Sequence, residues 1–539
     1  MTVHTHEVLN QAPPLPDFDA WATDAPLMET VERWGGSWAA DQLSALGRVA
    51  GSAEGAQLAV DANVNRPVLR AHDRYGHRVD QVDFHPAYHE LMRIGKAHQV
   101  HSLSWNNPGR PGAFVARSAL HYLYGQLEAG VACPITMTHA VIPSLRESPE
   151  VAALWEPGIL SDAYDPTFAP ASKKRGLTFG MAMTEKQGGS DVRANTTVAV
   201  PDGEGFRLTG HKWFCSAPMC DAFLTLAQGP GGLTCYLVPR WLPDDTPNTF
   251  LVQRLKDKLG NHSNASSEIE YRDTWGVQVG PPGKGVKTIL AMVAQTRVDV
   301  ATAASGLMRQ ALRYATHHAR HRQAFGKLLI DQPLMRNVLA DMEVEVEASV
   351  LLSFRVASAL DRGATDPGEE AFGRAAMAIA KYWISKRVIG LTAEALECHG
   401  GNGYAENWPM ARLYREAPLG SVWEGSGNVQ CLDVLRAMER SPASMAAVQR
   451  ELDGFRGKDS RLDRLLGEIH AELTEPATLE LRARRLVEKL ALALQGGLML
   501  EHAPAPVAEA WLAGRLGGGG YEYGTLPAGV DLDAILARA

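Results

Sequence analysis

Between about residues 176 and 280 the chain changes character, and that change constrains its fold more than any other feature. Short apolar runs are broken there by Gly, Pro and Asp: Thr196 to Val200, the turn Pro201-Asp202-Gly203-Glu204-Gly205, then Phe206 to Thr209. Two alternating runs about such a turn predict a hairpin. Phe223 to Ala227 and Thr234 to Val238, around Gly229-Pro230-Gly231-Gly232, predict a second, and Ser267 to Tyr271 adds a strand. On both sides of this β segment the periodicity is helical. Residues up to about 165 read as helices and loops: Phe84-His85-Pro86 opens one helical stretch, and Gly112 to Gly130 carries apolar positions at three and four spacing. From Gly285 to about Ala359, and from Glu369 to Leu396, uninterrupted stretches rich in Ala, Leu, Met and Arg predict long helices packed as a bundle. Two further helices are predicted at about 460–473 and 478–501, before the Gly-rich break Gly517 to Gly520.

This order predicts an α+β multidomain chain. Its expected parts are an N-terminal helical domain with a Pro-rich arm (1–175), a central β domain (176–284), a helical bundle (285–440) and a helical extension (441–539). A chain of 539 residues needs several cores, since one domain commonly holds about 100–200 residues. Its 53 basic and 61 acidic residues exclude a broadly basic coat for nucleic acid, although a local basic face could still form. The extension is itself nearly neutral, with 12 basic against 14 acidic residues from position 440 onward. No apolar stretch approaches about 18 residues, and the polar, Pro-rich start lacks the regions of a signal peptide, so a cytoplasmic protein without a membrane partner is expected. Cys133, Cys215, Cys220, Cys235, Cys398 and Cys431 form no CxxC pair; reduced, mostly buried thiols and no metal site are expected.

Three segments have the composition of ligand sites. In Met183-Thr184-Glu185-Lys186-Gln187-Gly188-Gly189-Ser190-Asp191 the glycines let backbone N–H groups approach an anion, and two hydroxyls can meet polar edges; a surface turn is the competing reading. Neither a P-loop nor a Rossmann glycine pattern is present. The second comprises Cys398-His399-Gly400-Gly401-Asn402-Gly403-Tyr404 and, some twenty residues on, Trp423-Glu424-Gly425-Ser426-Gly427-Asn428. Between an aromatic residue and glycine, the Glu424 carboxylate could be partly desolvated, which raises its pKa and suits it to act as base on a weakly acidic C–H; an ordinary solvated loop glutamate is the alternative. The third is Arg320-His321-Arg322-Gln323-Ala324-Phe325-Gly326-Lys327, expected at a helix end. From 309 to 336 there are six basic residues, Arg309, Arg313, Arg320, Arg322, Lys327 and Arg336, against the single acid Asp331. Such an excess attracts phosphate, unless it is only a solvated face.

In this order and spacing, the segments resemble the acyl-CoA dehydrogenase family of flavoproteins over roughly residues 70–440, with Gly210-His211-Lys212-Trp213-Phe214-Cys215-Ser216 matching the family's second flavin strand. The wording from Thr184 to Asp191, the segment Cys133-Pro134-Ile135-Thr136-Met137-Thr138 and the extension are similar to a bacterial branch of that family associated with the response to DNA alkylation. The resemblance implies an acyl-CoA dehydrogenase-like fold, with an N-terminal α domain, a central β-barrel-like domain and a C-terminal α bundle, plus an extra C-terminal α domain. It also implies a homotetramer built as a dimer of dimers.

It implies FAD as cofactor, met by Met181, Ala182, Met183, Thr184, Gly189, Ser190, Phe214, Cys215 and Ser216 on the β side and by Trp423, Ser426 and Asn428 from the late motif. Phe214 and Ser216 stand where many relatives have Trp and Thr, which keeps an aromatic face and a hydroxyl donor. Arg322, Phe325, Gln332, Gly400 and Gly401 would hold the ADP half of a neighbouring subunit's FAD, although Glu397 replaces the usual Gln there. Glu424 matches the catalytic base, Thr184, Ser190, Arg297 and Arg436 match substrate-side positions, and an acyl-CoA is the implied substrate. Val293 and Ala294 replace the family's aromatic and acidic contacts to that substrate, which predicts slow or altered turnover. The resemblance leaves three functions open: α,β-dehydrogenation of an acyl thioester, a protective flavoprotein that binds double-stranded DNA with little or no acyl-CoA turnover and shields it or detoxifies alkylating agents, or a flavin-binding scaffold without turnover. In the second, assembly would gather Arg309, Arg313, Arg482, Arg484 and Arg485 into basic faces.

Overall fold

The computed structural model describes residues 8–539, so the first seven residues of the Pro-rich arm lie outside the described residues. The chain divides into two compact units, Ala39–Asp299 and Met1–Trp38 with Val300–Ala539.

In the first unit the helices Ala40–Ala50, Ala53–Val64, Pro86–Ala97, Ala113–Leu127 and Ala129–Ala140 precede the β segment. Helix Ala113–Leu127 is buried along nearly its whole length, and its Arg117 and His121 are accordingly paired inside, with Asp299 and Thr136. The reading of this region as helices and loops needs one correction. Strands β1 (Val68–His72) and β2 (Arg78–Asp83) form an antiparallel hairpin. Its turn rests on Asp73, whose Oδ1 accepts the N–H groups of Tyr75 (2.8 Å) and His77 (2.9 Å).

The β segment contains β3 (Phe179–Ala182), β4 (Val198–Asp202), β5 (Gly205–Ser216), β6 (Ala222–Gly229), β7 (Gly232–Pro239), β8 (Phe250–Leu255) and β9 (Ser266–Val279). The strand order is β3-β6-β4-β5-β9-β7, and the added β6–β7 pairing closes it on itself; β8 pairs with β9. Both hairpins predicted from sequence are present, as β4–β5 and β6–β7. Closure leaves few free strand edges, and Ala222, Phe223, Leu224, Leu226, Cys235, Tyr236 and Val238 are buried, so both faces of β6 and β7 are covered.

In the second unit, helices Pro333–Gly363 and Pro367–Cys398 pack side by side, each with Pro in its first turn; the Asp366 carboxylate caps the latter by accepting from the N–H of Gly368 (2.7 Å). The helical stretch from Gly285 to about Ala359 is divided at the helix end expected in the run Arg320 to Lys327. Helix Gly285–His321 ends, and β10 (Gln323–Ala324) turns back as β11 (Lys327–Leu328) before the next helix starts. The two residues of that turn, Phe325 (φ 52) and Gly326 (φ 77), both occupy the left-handed region that a tight hairpin requires.

The extension has more helices than the two expected: Pro442–Asp453, Ser460–Leu473, Ala483–His502, Ala505–Leu516 and Leu532–Leu536. Its arginines reach a row of buried acids on helix Pro333–Gly363. Arg515 pairs with Asp341 (2.8 Å) and Glu345 (3.0 Å), and Arg538 with Glu347 (3.0 Å).

The expected basic face needs a second correction. Arg309 is buried and forms two hydrogen bonds to Glu343, at 2.6 and 3.0 Å. Arg482 and Arg485 both engage Glu472, and Arg484 donates to the Asn428 carbonyl oxygen Oδ1 (2.8 Å). All six cysteines are buried and unbridged, and among the described residues no helix is long and apolar enough to cross a membrane.

Candidate functional site

In the first unit the Gly-Gly-Ser loop follows β3 and is pinned from below. Glu185 is fully buried; its carboxylate accepts from Lys212 Nζ (2.8 Å), Thr197 Oγ1 (2.6 Å) and the N–H of Thr196 (2.7 Å). Burial pushes the Glu185 pKa up, but the Lys212 charge and these hydrogen bonds outweigh it and hold the carboxyl well below its ordinary range. The Thr184 carbonyl accepts the N–H of Trp213 at 2.8 Å, so the loop lies along β5.

This contact sets the predicted loop residues beside the end of β5 that carries Phe214, Cys215 and Ser216. Met181, Ala182 and Cys215 lie buried, while Met183, Thr184 and Ser216 are half-buried and Gly189, Ser190 and Phe214 exposed. Thr225 Oγ1 donates to the Ala182 carbonyl at 2.7 Å, and Ser216 Oγ lies 3.3 Å from Ser266 Oγ. A Cβ at Gly189 would stand 2.4 Å from Thr184 Oγ1, so only glycine lets that hydroxyl lie against the loop backbone. Sequence reasoning missed Lys256. Its ammonium sits 3.4 Å above the Trp213 ring and 4.6 Å from the Phe214 ring, and pairs with Glu268 at 2.6 Å.

Arg297 is half-buried on helix Gly285–His321, two residues before Asp299. Asp299 is buried in an ion pair with Arg117 and accepts from Thr136 Oγ1 at 2.9 Å; Thr136 Oγ1 in turn lies 2.8 Å from His121 Nε2. The matched Cys133–Thr138 segment thus supplies a residue that braces this helix.

In the second unit the predicted residues form two groups. At the β10–β11 hairpin Phe325 is 99% exposed, Gln332 Nε2 donates to the Ala324 carbonyl (3.0 Å), and Arg322 donates to the carbonyl of Asn10. The neighbouring Gln11 Oε1 accepts from Asn402 (3.0 Å), beside Gly400 and Gly401, where an added Cβ would meet nothing within 4 Å. The Pro-rich arm therefore ties the hairpin to the glycine turn, a link between positions nearly four hundred residues apart. Glu397 is exposed.

The second group surrounds Glu424. Glu424 has φ 55 and Gly425 φ 92, two successive residues in left-handed backbone. Gln430 Nε2 donates to the carbonyls of Glu424 (2.9 Å) and Gly425 (3.1 Å). Trp423 is half-buried, and its indole Nε1–H is buried with no hydrogen-bond partner. Ser426 is half-buried ahead of helix Gly427–Arg440, and Asn428 is exposed. Arg436 pairs with Asp433 at 2.7 Å.

A helical segment, a closed β domain and a bundle carrying a glutamate on a left-handed turn follow one another in the order of a flavoprotein dehydrogenase, and the chain belongs to the acyl-CoA dehydrogenase family. The acyl-CoA dehydrogenase middle domain matches residues 180–274 and its C-terminal domain residues 283–439. The Adaptive response protein AidB N-terminal domain matches residues 10–166. The chain is 45% identical over 510 residues to AidB of Escherichia coli strain K12, covering 94% of each chain. Caenorhabditis elegans ACDH-11, solved in complex with C11-CoA, superposes with a TM-score of 0.87 at 26% identity, over 95% of this chain and 94% of that one. A glutaryl-CoA dehydrogenase from Mycobacterium smegmatis, solved in complex with FADH2, shares the fold with a TM-score of 0.55 at 19% identity, over 65% of this chain and 86% of that one.

Proposed function

We propose that the protein is a FAD-dependent dehydrogenase of acyl thioesters in which Glu424 is the catalytic base. The observation that carries this reading is the backbone of Glu424. A non-glycine residue in the left-handed region costs on the order of 1–3 kcal/mol and persists only where its surroundings impose it, which is common at functional sites.

The residues fit FAD. The Trp423 indole N–H offers a buried donor without a partner, Phe214 an exposed ring, and Gly189 a close approach of backbone to the Thr184 hydroxyl. On the β side Met181, Ala182, Met183, Thr184, Ser190, Phe214, Cys215 and Ser216 would hold the cofactor, and the family's late motif gives Ser426 and Asn428 a contact to it as well. Bound FAD supplies the acceptor for the hydride that leaves the substrate's β carbon. Glu424 takes the α proton, and hydrogen bonds to the thioester carbonyl stabilise the enolate-like charge that develops. Arg297 and Arg436 would tune this base from the substrate side. Val293 and Ala294 should make turnover slow or its substrate unusual.

Arg322, Phe325, Gln332, Gly400 and Gly401 would receive the ADP half of a neighbouring subunit's FAD in a homotetramer. The almost complete exposure of Phe325, on a hairpin strained to present it, supports that role. A role in DNA alkylation resistance fits the AidB-like sequence. As a DNA-binding surface, however, the five arginines are compromised by the burial of Arg309 and by the Glu472 partners of Arg482 and Arg485. Replacing Glu424 by Gln tests the reading: the purified variant should stay yellow, and no acyl-CoA should bleach it. Unchanged bleaching would remove Glu424 from the chemistry.

A further inference from the structure

Lys381 lies in helix Pro367–Cys398 and is only 1% exposed. Its Nζ donates to the carbonyls of Trp423 (2.8 Å) and Gly425 (2.5 Å), the residues on either side of Glu424. The carbonyl of Glu424 is taken by Gln430, from helix Gly427–Arg440. Three consecutive peptide groups are therefore fixed by two side chains from two helices.

The arrangement is costly. An ammonium taken out of water loses several kcal/mol of solvation that carbonyl contacts repay only when well aligned, and an apolar side chain would fill a buried helix position more cheaply. What the ammonium provides is orientation. Two carbonyls separated by one residue converge on a single cation, and the residue between them takes the left-handed φ of 55. With that dihedral fixed, the direction of the Glu424 Cα–Cβ bond is fixed too. Left to itself, the turn would relax toward the ordinary right-handed or extended regions, carrying the carboxylate away from its position.

We propose that Lys381 is the positioning residue for the base, acting through the carbonyls of Trp423 and Gly425 to set where the Glu424 carboxylate stands. The role rests on the dehydrogenase reading above, but the geometry can be tested without it. Lys381→Met and Lys381→Arg are made in the full-length, FAD-loaded protein, with Gln430→Leu as a second way to loosen the same turn. Hydrogen exchange of the peptides covering residues 421–428 should accelerate by roughly tenfold or more in Lys381→Met, by less in Gln430→Leu, and be largely restored in Lys381→Arg, while the rest of helix Pro367–Cys398 exchanges as before. Unchanged exchange at 421–428, or acceleration spread evenly over the whole helix, overturns the proposal.

The kinetic counterpart is anaerobic flavin bleaching with straight-chain acyl-CoAs. Lys381→Met should lower the rate at saturation by about tenfold or more, leave the half-saturating concentration within about twofold, and recover in part in Lys381→Arg. A rate equal to wild type overturns the proposal. If no acyl-CoA bleaches the wild type, the dehydrogenase reading fails, and the exchange data alone decide whether Lys381 holds the turn.

Discussion

Lys212 and Glu185 face each other at 2.8 Å with neither side chain reaching solvent. This buried pair joins the loop of Thr184 and Ser190 to the strand of Phe214 and Ser216, so stability and cofactor binding should fail together. Removing one partner strands the other charge, at a cost of about 3–5 kcal/mol. Lys212→Met should therefore lower the urea midpoint of the protein and release FAD on dilution. A variant that stays yellow and as stable as wild type would show that the pair does not organise this loop.

Acid should destabilise the unit of residues 39–299 earlier than its carboxylates alone would. Burial, then the nearby Arg117 charge, push His139 down to about 3 against the pull of Asp299; burial likewise takes His121 to about 4. Both start near 6.5 in the unfolded chain, which therefore binds protons that the folded one excludes. Their share of stability is complete above pH 6.5 and is lost as pH falls toward 4, at up to about 1.4 kcal/mol per pH unit for each histidine. Urea midpoints measured from pH 7.5 to 5.0 should fall, with a shallower slope in His121→Gln. A flat profile would contradict the assignment.

Arg538 bridges Glu29 (2.8 Å) and Glu347 (3.0 Å), joining helix Ala25–Arg33 to helix Pro333–Gly363. Burial raises the Glu347 pKa, and Arg538 is what compensates its charge. Arg538→Ala should cost about 3 kcal/mol, whereas Arg336→Ala, which loses only the exposed Asp533, should cost under about 1 kcal/mol. Thermal melting of the two variants checks the contrast; equal losses would contradict it.

The β domain was legible because its signals are local. Pro201 to Gly205 and Gly229 to Gly232 sit between the strands they turn, and no distant residue is needed to read them. The tryptophan before Glu424 and the glycine after it single that residue out, but they left an ordinary solvated loop glutamate open, and only the family resemblance proposes it as a base. The β1–β2 hairpin was missed because its strands carry little apolar alternation and one of the two buried residues of β2, Asp80, is charged. The helix end near His321 was legible from its basic run, and Pro333 marks where the next helix begins, but the two-residue strands β10 and β11 between them are too short to show any periodicity.

Arg309 looked like part of a surface patch because its partners, Asp24 and Glu343, are remote in sequence. Lys381 was invisible for a similar reason: a single lysine in a helical stretch says nothing of the carbonyls of Trp423 and Gly425, which lie more than forty residues away. Long-range polar pairing leaves almost no trace in local periodicity.

The most direct test of the central claim is the absorption spectrum of the purified protein, followed on the same sample by anaerobic titration with straight-chain acyl-CoAs. We predict a yellow protein with a flavin spectrum that at least one thioester bleaches, and a Glu424→Gln variant that is equally yellow but is not bleached. A colourless protein that does not take up added FAD would contradict the cofactor assignment. A yellow protein that no acyl-CoA bleaches would contradict the assignment of Glu424 as the base of an acyl thioester dehydrogenase.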